Sequence, residues 1–263
     1  MDWAVRDDVA SFGREVAAHL EALLGSDLVG AYFVGSIALG GYVPGENDLD
    51  IVAVSAHHMV DELKRSVAED LLDLTGACPA RGLEFTLYRR EVAASTSKGT
   101  DFEVNVNGGP RMPPSINLDA REQPSFWYVI DRTIAHRCGV AIRGAPASDV
   151  FADAPRQTLL DAMVESMGWH RQHEGATLYS VLNASRAWRY ADEGVLGSKL
   201  DGAAWARERW RRPALIDAAV KLRHGRTALL DAHEVDGLLD HVESALVAAQ
   251  PRSHPLASRS APK

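Results

Sequence analysis

The order of strand-like and helix-like segments is the feature that most constrains how this chain can fold. Four short β-rich runs alternate with helical patterns in the first part of the sequence: 28–34, 49–54, 83–88 and 140–144. Beyond Ala154 the apolar residues recur only at helical spacing, with breaks at glycine and proline. We therefore predict an α+β fold with two domains, a sheet-containing one at 1–154 and a helical one at 155–250.

The same patterns assign the remaining segments. Helices are predicted at 3–24, 57–74 and 126–136, where apolar residues lie on one helical face. Residues 93–124 are rich in Ser, Thr, Asn, Gly and Pro, which predicts mostly loop with one short strand at 102–106. The last stretch, 251–263, is polar and proline-containing, so we expect it to be a disordered tail.

Composition excludes several classes of protein. The chain has 46% hydrophobic residues, yet no apolar run approaches the roughly 20 residues of a membrane helix. A formal charge of −8 argues against a surface for duplex nucleic acid and suits a cationic small substrate. The acidic N-terminus is unlike a secretory signal, so we expect a cytoplasmic protein. Cys78 and Cys138 are expected to be reduced core thiols.

Three acidic residues lie on or beside the second and third predicted strands. Asp48 and Asp50 are separated by one residue, so on a strand both carboxylates point to one side while Leu49 faces the core. Paired carboxylates on a rigid strand suit Mg²⁺ when phosphate oxygens and water complete its coordination. Glu84 projects from the third predicted strand, either as a further metal ligand or as the general base for an attacking hydroxyl.

A glycine and a serine follow the first predicted strand. Gly35 allows a phosphate to approach the backbone, and Ser36 adds a hydroxyl beside main-chain N–H groups at a predicted helix start. Together with the three acids, they predict a site that binds a nucleoside triphosphate with Mg²⁺ and transfers a nucleotide to a hydroxyl, releasing pyrophosphate. The order of these features along the chain carries the prediction, because each one alone is common.

The segment GSIALGGYVPGENDLDIVAV, followed by LEFTLY, resembles the polymerase β-like nucleotidyltransferase superfamily in its Gly-Ser, Asp-x-Asp and later acidic strand. From about Val29 to Leu246 the chain looks like the bacterial aminoglycoside adenylyltransferases that modify streptomycin and spectinomycin. Two further stretches carry this similarity: GVAIRGAPASDVF and SVLNASRAWRYADEGVLGSKLDGAAWA. The resemblance implies a nucleotidyltransferase domain with a small mixed sheet flanked by helices, followed by an α-helical bundle.

The resemblance also implies roles for individual residues. Asp48 and Asp50 would bind magnesium, with two ions expected, and Glu84 would be the catalytic base. Four residues would bind ATP, the last two through its phosphates: Gly35, Ser36, Arg186 and Lys199. The chain departs from the family in a spacer before Asp48 that is longer by one residue. A second departure is at His224 and Gly225, where the family has a tyrosine near the nucleotide.

The expected reaction is transfer of AMP from ATP to a hydroxyl of a cationic aminoglycoside or aminocyclitol antibiotic, spectinomycin or streptomycin, which inactivates the drug. In the streptomycin-active relatives a Trp and nearby acids hold the cationic sugar. Trp169 and Glu174 are the candidates in this chain, with Glu165 and Asp131 as further acids.

Several alternatives stay open from the sequence. One alternative is an enzyme that transfers the nucleotide to another metabolite or to a protein. Another is a regulator that has the same fold and binds a nucleotide without catalysing a reaction. His170 and His173 have metal-like spacing but no acidic or thiol partners in sequence, so both are expected at the surface. We expect a monomer that binds neither nucleic acid nor membranes.

Overall fold

A computed structural model describes residues 5–99 and 101–250 of the chain. Six strands in this part of the chain form one sheet: β1 Leu28–Phe33, β2 Leu49–Ser55, β3 Leu83–Arg89, β4 Phe102–Gly109, β5 Met112–Asn117 and β6 Val140–Gly144. The α-helices are α1 Asp7–Leu24, α2 Gly35–Ala38, α3 Asp61–Leu74, α4 Arg90–Ala93, α5 Ser125–Cys138, α6 Ala147–Val150, α7 Arg156–Trp169, α8 Leu178–Glu193, α9 Lys199–Arg207, α10 Pro213–Arg223 and α11 Ala232–Ala248. A π-helical turn, His170–Glu174, separates α7 from α8.

The sheet is mixed, with the strand order β5-β4-β3-β2-β1-β6. Strands β2 and β3 are parallel, and the other neighbouring pairs are antiparallel. Helix α3 makes the crossover that two parallel strands require. A sheet in the first part and helices in the second confirm the predicted α+β fold.

Buried side chains cover both faces of the sheet. On one face, α1 and α3 pack against a cluster that includes Ala31, Ile51 and Phe85. On the other face, Tyr32 and Tyr88 belong to a cluster that continues through α5 into helices α7 to α11. The apolar core is therefore continuous across residue 154, and the helical part packs directly onto the sheet.

The strand predictions were right where apolar residues dominate and wrong in one loop-like segment. The runs at 28–34, 49–54 and 83–88 match β1, β2 and β3 to within one residue, and 140–144 matches β6. The segment 93–124 instead contains a longer strand, β4, and the additional strand β5. Strand β5 has the sequence MPPSIN and lies at the edge of the sheet, where proline is tolerated because one side of the strand makes no ladder hydrogen bonds.

Some helix boundaries also differ from the prediction. Helix α3 begins at Asp61 rather than residue 57, because Val60 has an extended backbone with φ −70° and ψ 153°. Cys78 is buried as expected, whereas Cys138 is only half-buried at the end of α5. Trp3 of the predicted first helix and the predicted tail 251–263 lie outside the described residues. Among the described residues, no helix is long and apolar enough to span a membrane.

Candidate active site

A cleft of about 460 Å³ opens between the sheet and the helical part. Strands β2, β3 and β4 form its floor, and the π-helical turn, α8 and α9 contribute the opposite wall. All of the site residues predicted from the sequence line this cleft: Gly35, Ser36, Asp48, Asp50, Glu84, Trp169, Glu174, Arg186 and Lys199. Residues up to 164 positions apart in sequence, Gly35 and Lys199, are therefore brought to one place.

The turn after β1 is built around the Asp50 carboxylate. The Asp50 carbonyl accepts a hydrogen bond from Val34 N (2.9 Å), and its side-chain Oδ2 accepts one from Ser36 N (3.3 Å). Gly35 has φ +53°, and a Cβ added to it would lie 1.9 Å from Asp50 Oδ2. Glycine is thus required here for both backbone conformation and space. The Ser36 hydroxyl is buried without a hydrogen-bond partner among the described residues.

The three acids meet because β2 and β3 are parallel and in register. Asp50 pairs with Glu84 across the two strands, and Asp48 immediately precedes β2. Leu49 is fully buried, as the alternation of the strand predicts. Glu84 is the one exposed residue of β3, because its side chain opens into the cleft.

Burial is the main cause that shifts Asp50, Glu84 and Asp131 towards the neutral form. Burial, together with the charges of Asp48 and Asp131, raises the pKa of Asp50 to about 7. Desolvation by the surrounding protein, together with the charges of Asp50 and Asp48, raises the pKa of Glu84 well above its ordinary value. Its side chain nevertheless reaches the solvent in the cleft. Burial raises the pKa of Asp131 to about 6. The cleft therefore contains acidic groups whose ionised forms need a positive partner.

Two basic residues face these acids from the helical part. Burial lowers the pKa of the Arg186 guanidinium, while the negative charges of Asp131 and Asp50 oppose that shift. Lys199 is the first residue of α9, whose N-terminus is closed by a capping box between Ser198 and Asp201. Helix α9 can approach α8 closely because Gly202 has no side chain. A Cβ at this position would lie 2.6 Å from Arg186 Cα.

Residues 149–247 match the model of the family described as aminoglycoside adenylyltransferase, C-terminal domain. The matched stretch covers the helical second part of the chain. An aminoglycoside (3'')(9) adenylyltransferase of Shigella flexneri is 27% identical over 234 residues, a match that covers 82% of this chain and 86% of that protein. The enzyme of the same name from Escherichia coli is also 27% identical, with 82% and 85% covered. These similarities support a nucleotidyltransferase enzyme.

A solved structure shares the fold over almost the whole chain. Spectinomycin adenyltransferase AAD(9) from Enterococcus faecialis, whose crystal structure contains ATP and spectinomycin, superposes with a TM-score of 0.69. The match covers 90% of this chain and 98% of that one, at 16% sequence identity. The arrangement of a sheet part followed by a helical part is therefore that of an adenylyltransferase of known structure.

The wall of the cleft opposite the acids is aromatic and acidic. Trp169 is half-buried at the end of α7, and its ring packs against Trp127 with centroids 4.9 Å apart. Glu174 lines the cleft from the π-helical turn, and Asp131 lines it from α5. Glu165, the other acid considered from the sequence, is exposed outside the cleft and lies 3.7 Å from Lys98.

Sequence reasoning missed other residues of the cleft. His170 was expected at the surface, but it is 3% exposed because it closes a hydrogen-bonded contact between the π-helical turn and α8. His173 is exposed as expected. Arg81 and Tyr179 join the two parts through a hydrogen bond of 3.1 Å from the guanidinium to the phenol oxygen. These two residues are 98 positions apart, so no local sequence pattern predicts their contact.

Asparagines of β4 form a further part of the floor. Asn107 pairs with Glu84 across the strands, and Asn105 pairs with Thr86. The Asn105 amide donates to Thr86 Oγ1 (3.0 Å) and the Asn107 amide donates to Asn105 Oδ1 (3.3 Å). Their period of two in the sequence, NVN, is the signal that places both on the cleft face once 102–109 is known to be a strand.

Proposed function

We propose that this chain transfers AMP from ATP to a hydroxyl of an aminoglycoside or aminocyclitol antibiotic, spectinomycin or streptomycin, in a Mg²⁺-dependent reaction that releases pyrophosphate. The observation that carries the proposal is one cleft lined by Asp48, Asp50 and Glu84 on the sheet side and by Arg186 and Lys199 on the helical side. The names of the relatives support the acceptor class, and the ATP and spectinomycin bound to the structural neighbour support both substrates.

The residues present fit divalent cations that arrive with the triphosphate. In residues 5–99 and 101–250, no group of three or more His, Cys, Asp or Glu side chains is arranged to hold a metal ion by itself. Mg²⁺ is commonly bound by one or two carboxylates when substrate phosphates and water fill the other positions. Asp48 and Asp50 would hold two ions, and Glu84 is available as a further ligand. Bound there, the ions would neutralise the triphosphate charge and lower the raised pKa values of the carboxyl groups.

The chain's own residues supply binding, orientation and a proton acceptor. Gly35 would offer its main-chain N–H group, and Ser36 a buried hydroxyl without a hydrogen-bond partner among the described residues, to phosphate oxygens. Arg186 and Lys199 add positive charge from the opposite wall, where it would balance charge on the departing pyrophosphate.

The proposed transfer forms a bond from the acceptor oxygen to the α-phosphorus and breaks the bond from that phosphorus to the oxygen bridging to the β-phosphate. Glu84 takes the proton of the attacking hydroxyl, because it is the exposed carboxylate of β3 and has a raised pKa. The electron pair of the broken bond leaves with pyrophosphate.

Charge and shape of the opposite wall suit a cationic, hydroxyl-rich acceptor. Glu174 and Asp131 would pair with ammonium or guanidinium groups, and Trp169 offers a ring face to the sugar. The amide group of Asn107, which pairs with Glu84 across the strands, would bind a hydroxyl of the acceptor.

The cleft lies between a catalytic domain at 1–154 and a substrate- and nucleotide-contacting helical domain at 155–250, which we propose as the functional units. Since one chain supplies both walls, a monomer would be sufficient for the reaction. We propose the cytoplasm as its place of action, where ATP is available, and small molecules rather than nucleic acid as its partners.

Pyrophosphate release tests the proposal directly. Purified protein is incubated with ATP and Mg²⁺ and, in separate samples, with spectinomycin or streptomycin, and the drug is analysed by mass spectrometry for an added AMP moiety. The double variant Asp48→Asn/Asp50→Asn is the control, because it removes both charges while keeping side-chain size. Release with either drug that is absent in the variant supports the proposal.

Two other results would redirect it. ATP binding without release in the presence of either drug would favour another acceptor or a regulatory module. Equal release by the wild type and the double variant would contradict the assignment of the acids.

A further inference from the structure

A chain of hydrogen bonds joins the acceptor side of the cleft to the nucleotide side. Glu174 Oε2 lies 2.6 Å from His170 Nδ1, and His170 Nε2 lies 3.0 Å from Asn183 Nδ2. Asn183 Oδ1 accepts a longer bond, 3.4 Å, from the Arg186 guanidinium. All four residues line the cleft, and His170 is buried at its back. The chain therefore connects a proposed acceptor-binding carboxylate with a proposed phosphate-binding arginine.

The direction of each hydrogen bond follows from chemistry at one end. Arginine donates only, so the Asn183 oxygen must face Arg186 and its NH₂ group must face His170. His170 then accepts at Nε2 and carries its proton on Nδ1, from which it donates to Glu174. Burial lowers the pKa of His170, which agrees with a neutral ring.

The opposite orientation of the amide breaks the chain. Rotating the Asn183 amide by half a turn places its oxygen against His170 Nε2, which then must carry the ring proton. The lone pair of Nδ1 would face the Glu174 carboxylate, and that hydrogen bond is lost. The chain thus has two states, and whether Arg186 donates to Asn183 decides between them.

Only one carboxylate oxygen of Glu174 accepts hydrogen bonds from the described part of the protein. Its Oε2 accepts from His170 and also from the Thr177 hydroxyl (3.3 Å), whereas Oε1 has no hydrogen-bond partner in the described part of the chain. A carboxylate fixed in this way presents one oxygen to a ligand in a defined direction.

We propose that His170 and Asn183 are positioning residues that couple the two subsites of the cleft: phosphate bound at Arg186 fixes the Asn183 amide, and the chain then holds Glu174 for the cationic acceptor. This inference rests on the proposed function, because it uses the acceptor role of Glu174 and the nucleotide role of Arg186. Coupling is reciprocal, so bound acceptor strengthens nucleotide binding by the same factor.

Isothermal titration calorimetry of the full-length protein measures the coupling between the two subsites. The affinity for spectinomycin and for streptomycin is determined with and without a non-hydrolysable ATP analogue and Mg²⁺, in the wild type and in Asn183→Leu. Leucine keeps the size of asparagine and removes both hydrogen bonds. Ser185→Ala is the matched control, since it also removes a hydrogen bond on α8, but one made to the Val181 carbonyl away from the chain.

The wild type and Ser185→Ala are expected to bind drug more tightly in the presence of the analogue. In Asn183→Leu this ratio of affinities falls at least about fivefold, the lower end of typical coupling. An unchanged ratio in a folded Asn183→Leu protein would overturn the inference.

Ring nitrogen NMR of His170 provides a second readout that does not require drug binding. In the wild type with the analogue, the proton is expected on Nδ1. In Asn183→Asp, both side-chain oxygens are acceptors, so the ring is expected to become doubly protonated at neutral pH. A proton on Nε2 of His170 in the analogue-bound wild type would contradict the proposed directions of these hydrogen bonds and overturn the inference. Absence of drug binding with the expected ring signals would instead contradict the proposed acceptor class alone.

Discussion

Replacing Gly35 by alanine tests how tightly the turn after β1 is fitted to Asp50. The new Cβ would lie 1.9 Å from Asp50 Oδ2, whereas real Cβ contacts are not shorter than 3.0 Å, so the carboxylate must move by about 1 Å. Displacements of that size in a catalytic site typically lower rates about 100-fold. The backbone at φ +53° adds about 1–2 kcal/mol of strain in the folded state.

Gly25→Ala separates backbone strain from displacement of the carboxylate. Gly25 has a similar φ of +55°, lies at the end of α1, and has nothing within 4 Å of an added Cβ. Both variants are expected to lose free energy of unfolding through backbone strain, measured by urea denaturation, and Gly35→Ala loses more because of its contact with Asp50. Pyrophosphate release with ATP, Mg²⁺ and spectinomycin or streptomycin should fall only in Gly35→Ala. Equal activity of the two variants would refute the proposed fit between Gly35 and Asp50.

Three further variants test other parts of the site and fold. The pKa of Asp50 is raised to about 7, so the folded state binds this proton more tightly than the unfolded chain and stability falls as pH rises from about 4 to 7. Asp50→Asn should therefore raise Tm of the metal-free protein at pH 8 but not at pH 4, and an equal Tm at pH 8 would contradict this. Glu103→Gln leaves the buried Lys64 ammonium without its partner at 2.9 Å and should cost about 3 kcal/mol in urea denaturation, against less than about 0.5 for the exposed control Asp119→Asn. Arg186→Ala should raise the KM for ATP more than about tenfold in initial-rate assays, because a charged donor to phosphate is lost, and an unchanged KM would remove Arg186 from the nucleotide site.

The strands that carry the acids were predictable because their sequences combine two signals. Residues 49–54 and 83–88 alternate apolar core positions with positions on the cleft face, and turn residues bound both runs. Asp48, Asp50 and Glu84 fall at alternate positions relative to the core residues Leu49 and Leu83, so their common direction follows from the period of two. Their mutual contact further requires β2 and β3 to be parallel neighbours, which the spacing of these residues does not determine.

The parts that escaped prediction depend on contacts distant in sequence. Strand β5 has two prolines and no apolar alternation, and it forms because β4 offers a free edge. His170 has no local feature of a buried residue. Its ring contacts Asn183 on the following helix and Glu174 at the end of the π-helical turn, and neither contact follows from the local sequence pattern.

The acidic groups of the cleft together indicate what kind of ligand it binds. Asp50, Glu84 and Asp131 all have raised pKa values, so the fold holds three carboxyl groups where their ionised forms are disfavoured. The positive charges of Arg186 and Lys199 oppose the shift of Asp131, yet its pKa stays raised. A triphosphate alone would add negative charge to this cleft and bind poorly. Cations bound with the triphosphate and a cationic acceptor each supply the missing positive charge, so the same electrostatic imbalance favours both substrates of an adenylyl transfer.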